Sequence, residues 1–212
     1  MPKNKTVVIS AIGIAILIIG LFALVEQTSG NGNCTSIEDI NKITEFDLKL
    51  LIYLPSDYIF VACQGNPFEA QIMYQNKDVI SNNESLFGNV HEHVANGAIY
   101  LYVLNEKNFL GEEQFQKAVG NSTSHILETI KEANEKNPSL NMIQVNIQGN
   151  VGWANDICDA CGKQIANFPN NTIVQYTSTP ARIKFYDEND VLYFFQSNIP
   201  LDELIKVTES LR

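Results

Sequence analysis

The pattern of apolar and polar residues divides the chain near residue 33. From Val7 to Val25, nineteen apolar or small residues run without a charge. A helix of that length covers about 28 Å, close to the hydrocarbon thickness of a bilayer. Beyond it the apolar positions fall into short runs with periods of two or of three to four. The segment Glu26 to Asn33 between the two regimes is polar and carries Gly30 and Gly32, which predicts a short flexible spacer.

The later pattern predicts its own elements. Ser36-Ile37-Glu38-Asp39 has a capping-box-like start, so a short helix is expected over 36–45. Tyr58–Cys63, Phe68–Tyr74 and Ala98–Leu104 read as strands, with Asn82–Asn89 a polar loop. Gly111–Asn137 reads as helix, broken near Gly120, with Ile126, Leu127, Ile130 and Ala133 as its apolar stripe. The cleanest alternation is Ile143, Val145 and Ile147 against Gln144, Asn146 and Gln148. Thr172–Thr177, Ala181–Tyr186 and Val191–Gln196 follow as strands, the last two joined by a turn at Asp187–Asp190. From Pro200 the chain reads as helix, with Leu201, Leu204, Ile205 and Leu211 on its buried stripe. Short links between neighbouring strands predict an α+β domain with an antiparallel sheet, covered on one face by two or three helices.

Charge adds a topology. Lys3 and Lys5 precede the apolar run and no basic residue follows until Lys42. The positive-inside bias then predicts a cytoplasmic tail (1–6), a transmembrane anchor (7–25), a spacer (26–33) and an extracytoplasmic domain (34–212) in the cell membrane. The rival readings are a signal peptide cut near Thr28-Ser29-Gly30, or a lipid on Cys34. All 24 acidic residues follow the run, against 12 of the 14 basic ones. So acidic an ectodomain argues against nucleic acid or anionic lipid heads as partners. Four sequons are exposed to glycosylation by this topology, at Asn33, Asn83, Asn121 and Asn170. In a chain rich in asparagine they mark permitted sites and little more.

Two segments carry a resemblance. Leu54-Pro55-Ser56-Asp57-Tyr58 forms a turn into a strand. Ile147-Gln148-Gly149-Asn150-Val151-Gly152 leads into a glycine turn, and Leu192-Tyr193-Phe194 and Pro200-Leu201-Asp202-Glu203-Leu204 follow later. Over about 54–74 and 143–212 this resembles an uncharacterised extracytoplasmic domain of membrane-anchored bacterial and archaeal proteins. That domain is sometimes linked to an anti-sigma-factor-like region. The resemblance implies a sensor-like or lipid-carrier-like fold and transfers no catalytic residue. The expected tail of six residues would leave no room for a sigma-binding region.

Candidate chemistry rests on cysteine and histidine. The four cysteines are even in number and placed outside the membrane, which predicts disulfides. The simplest of three pairings is Cys34–Cys63 with Cys158–Cys161. Cys158-Asp159-Ala160-Cys161 also matches a thiol-disulfide redox pair, which would need a strand before it and a helix opening on the first cysteine. His125 and Glu128 on one helix, with Cys158 and Cys161 on the next, would approach a zinc-deaminase layout. That chemistry wants the glutamate two residues after the histidine, where Leu127 stands. His91 and His93, if on a strand, would face the same side and could complete a Cys₂His₂ set with Cys158 and Cys161 for zinc or another transition metal. Cys158–Cys161 also reads as a rigid structural turn, and Trp153 and Phe168 as core residues or cover for that turn. The expectation is a non-catalytic binding or sensing domain displayed outside the cell. An oxidoreductase using Cys158 and Cys161, or a metal-binding surface protein, is the alternative.

Overall fold

The computed structural model describes residues 32–34, 36–79, 87–88, 90–168 and 171–212. The expected span and cytoplasmic tail lie outside the described residues, as do Asn83 and Asn170. No described helix is long and apolar enough to cross a membrane.

The domain is α+β, built on an antiparallel sheet. Its strands are β1 (Gly32–Cys34), β2 (Tyr58–Asn66), β3 (Glu69–Asn76), β4 (Ile99–Leu104), β5 (Ile143–Ile147), β6 (Asn150–Asn155), β9 (Ala181–Tyr186) and β10 (Leu192–Ser197), in the order β1-β2-β3-β4-β10-β9-β6-β5. A separate hairpin, β7 (Cys158–Phe168) and β8 (Asn171–Thr179), is inserted between β6 and β9. The helices are α1 (Ile37–Ile43), α2 (Val90–Ala95), α3 (Glu106–Leu110), α4 (Glu112–Ala118), α5 (Ser122–Lys136) and α6 (Leu201–Glu209). A 3₁₀ turn over Pro138–Leu140 follows α5.

The expected cover on one face is corrected: helices lie on both. Ile99, Leu101 and Val103 of β4 belong to one apolar cluster with Ile40 of α1 and Leu204 and Val207 of α6. Their neighbours Tyr100 and Tyr102 join Met73 and Val94 of α2 on the opposite side. On that second side Trp153, Tyr186 and Leu192 pack with Phe115 of α4 and Ile126 of α5. A strand with a cover on each face must be apolar on each, which is why β4 and the first four residues of β10 read as unbroken apolar runs.

Smaller departures have local causes. The expected spacer ends early, because Gly32 and Asn33 already pair with Gly65 and Gln64. Ile143 is exposed because β5 is the sheet's edge strand. Leu127 is exposed, so the buried stripe of α5 narrows to Ile126, with Ile130 and Ala133 partly covered. The expected glycine turn at 149–152 holds only for Gln148-Gly149, where φ is positive. Gly152 lies inside β6, and a β-carbon there would meet the Lys184 carbonyl at 2.8 Å and Phe185 Cβ at 2.9 Å. Glycine thus permits a close strand approach, as it does where a strand needs room for a neighbouring backbone.

Both expected disulfides are present, Cys34–Cys63 and Cys158–Cys161. The first joins residues directly opposite each other on β1 and β2. The second closes an irregularity near the base of the hairpin, where Cys158 faces Thr179 and Gly162 faces Thr177.

Candidate functional site

The second face of the sheet carries more than apolar side chains. On β9, Ile183 and Phe185 point into the first cluster, so Arg182, Lys184 and Tyr186 point the other way. Residues two apart on a strand sit about 7 Å from each other on one face. Across the strands, Arg182 lies opposite Gln196 on one side and Asn155 on the other. Lys184 lies opposite Phe194 and Trp153. Phe194 and Leu104 are partly buried and touch both the cluster under α2 and the cluster under α4 and α5. The row thus runs along the seam between two helical covers.

Its hydrogen bonding is incomplete. Trp153 Nε1, Asn155 Oδ1, Arg182 Nε and Gln196 Oε1 are buried without a partner. Trp153, Asn155 and Gln196 are each at least nine-tenths buried. Asn155 cannot resolve this by turning its amide over. Its Nδ2 donates to the carbonyls of Asp156 (2.9 Å) and Pro180 (3.2 Å), which leaves Oδ1 as its unpartnered acceptor. A buried polar atom without a partner costs about 1–3 kcal/mol, so several on one surface form an unusual concentration.

Its charge is also unbalanced. Arg182 and Lys184 are half-buried, and among the described residues neither makes an ion pair. Desolvation lowers the pKa of both. The Glu106 carboxylate acts on Lys184 in the opposite direction, but it accepts the Tyr186 hydroxyl at 2.7 Å. The Lys184 ammonium sits 5.8 Å from the Tyr186 ring centroid, at cation–π range. His125 of α5 meets the same ring edge-on at 6.4 Å. Burial, then the field of Lys184, lowers the His125 pKa.

A carboxylate lies at the other side of the sheet's centre. Glu69 is buried and accepts the Tyr102 hydroxyl at 3.0 Å. Desolvation raises its pKa, and the bonds from Tyr102 and Asn66 offset part of that. A raised carboxyl pKa means the folded state holds its proton longer than the unfolded one. Stability is then lost as pH rises from the ordinary carboxylate range through the raised value. Glu69→Gln, which mimics the protonated form, should match the parent near pH 4 and exceed it at pH 7. Urea midpoints at the two pH values check this, and an equal difference at both would refute it.

The expected metal set is not brought together. His91 and His93 lie on α2, not on a strand, so their side chains diverge by about 200° around the axis. His91 is exposed and His93 buried. Both cysteines of the expected set are committed to a disulfide. No group of three metal-ligating side chains occurs among the described residues. The deaminase layout fails for the same reason, and because Cys158 and Cys161 stand on β7 where it needs a helix.

The redox layout fails on position. A reactive thiolate is favoured at a helix N-terminus; this pair stands on a strand beside the 3₁₀ turn. The two sulfurs lie 3.5 and 3.2 Å from the Ser139 carbonyl, and as disulfide sulfurs they have no proton to donate to it. Among the sequons, Asn121 is exposed and caps α5, accepting Ser124 N–H at 2.8 Å. Asn33 belongs to β1.

Sequence reasoning passed over Lys184, Arg182, Asn155 and Gln196. A shallow surface hollow between Ile52, Tyr53, Lys206 and Arg212 offers less. Its nearby polar groups are engaged, Tyr53 and Lys206 both with Glu203. No protein-family model, curated protein or solved structure matches the chain.

Proposed function

We propose that the chain is a non-catalytic binding domain, held at the outer face of the cell membrane by residues 7–25, that captures a small ligand on the Arg182–Lys184 face of its sheet. The observation that carries this reading is the contiguous row of unpartnered buried polar atoms on Trp153, Asn155, Arg182 and Gln196. Native folds satisfy nearly all such groups, so a concentration of them points to a ligand or ordered water that completes the set. The uncharged run with lysines only before it supports the anchor and the orientation. The resemblance over 54–74 and 143–212 fits an extracytoplasmic sensor.

The test is native mass spectrometry of the full chain released from membranes in mild detergent. A bound species of small mass should accompany the parent and be lost from the Arg182→Met, Lys184→Met double variant. Equal recovery from both, or a parent that carries nothing while being fully soluble without detergent, would sink the reading.

A further inference from the structure

We propose that the ligand of this face is a small organic monoanion, its oxyanion held by Arg182 and Lys184, its hydroxyl or amine hydrogen given to Asn155, and its apolar body laid against Trp153 and Phe194. This rests on the binding reading above and specifies the chemistry it serves.

Each part follows from a group already placed. A guanidinium and an ammonium borne two residues apart on one face of a strand, with no carboxylate in ion-pair contact among the described residues, match an oxyanion. The planar fork of arginine suits a carboxylate in particular. The fixed Asn155 Oδ1 is an acceptor and so asks for a donor on the ligand. Trp153 and Phe194 stand 6.0 Å apart between ring centroids and flank Lys184 on neighbouring strands. They give the body an apolar wall beside the charge. The charge of the ligand is limited by its surroundings. Glu106, Glu128 and Glu132 act on His125 at the rim, and the whole chain carries a formal −10. Two cations within an acidic surface favour a single negative charge over a polyphosphate.

Trp153 is the sole tryptophan of the chain, so its emission reports on this face alone. The full chain in detergent is titrated with phenyllactate, which combines a carboxylate, a hydroxyl and a ring. Parallel titrations use phenyllactamide, its neutral counterpart, and inorganic phosphate. Phenyllactate should shift the emission saturably in the millimolar range or below. The amide should bind at least about tenfold more weakly, as should phenyllactate to Lys184→Met or Arg182→Met, since each loses a charge-assisted contact. Lys206→Met, on the helix covering the opposite face, should titrate like the parent. Both variants at the seam should melt no lower than the parent, because each removes a half-buried cation that has no ion-pair partner among the described residues. Equal binding of phenyllactate and its amide, lost in the seam variants, would keep the binding face and overturn the oxyanion. Phosphate binding tighter than phenyllactate would overturn the apolar body. Silence of every probe overturns this inference; a bound mass of another class in the native spectra would show that the binding face itself survives it.

Discussion

Removal of residues 200–212 should leave the domain unfolded or aggregated. Leu204, Val207 and Thr208 of α6 are fully buried, and Leu211 nearly so. They close the first face of the sheet over Ile183, Phe185 and Phe195. The segment is also stitched by hydrogen bonds to distant backbone. Leu50 and Arg212 exchange N–H to carbonyl bonds of 2.9 and 3.0 Å. Gln148 Nε2 donates to the carbonyls of Glu209 and Leu211. The milder variant Leu204→Ala should fold and lose about 2–5 kcal/mol, the range for a leucine deleted from a close-packed core. Chemical denaturation of the variant and circular dichroism of the truncation test this. A truncated chain that melts at the parent temperature would show that α6 is an appendage.

The second large effect is covalent. Replacing Cys34 and Cys63 by serine should cost about 3 to 4 kcal/mol. The bridge spans a sequence separation of 29, and a closed loop of that size removes about this much freedom from the unfolded chain. Replacing Cys158 and Cys161 should cost clearly less, because their separation is 3 and a small ring constrains few conformations. Urea melts of both double variants under non-reducing conditions give the comparison. Equal losses, or a larger loss at Cys158 and Cys161, would show that the hairpin base supports the fold.

The sequence made the central strands legible because their apolar residues alternate or run unbroken through β2, β3, β4, β9 and β10. Pro200 and the stripe behind it announced α6. Besides β1 and α3, which the pattern did not announce, three elements were hidden for identifiable physical reasons. In β6, Gly152 reads as a turn residue, yet it is there to let β9 approach. In β7, two cysteines and a glycine read as a turn, and the chain does carry an irregularity there, but inside a strand. In α2, the order Val-His-Glu-His-Val fits a strand's alternation, and six residues are too few to reveal a helical period. The candidate site was lost through one error of layering. If helices cover one face only, Arg182 and Lys184 of β9 fall on the solvent side and need no explanation. The signal against that was in the same strands. Tyr102, Trp153 and Phe194 share the phase of Lys184, and a solvent face would not be built from aromatic rings.

The bridge between β1 and β2 also sets the path of mechanical load. A pull on the chain ahead of Gly32 would otherwise peel β1 away, a three-residue edge strand whose ladder is with β2. The disulfide bypasses that weak zipper and delivers the force at Cys63, within the nine residues of β2. From there it spreads into the ladder of β3 and on toward β4 at the sheet's centre. Traction at the N-terminal side is therefore met by many hydrogen bonds loaded together, and the oxidised domain should resist extraction far longer than the reduced one.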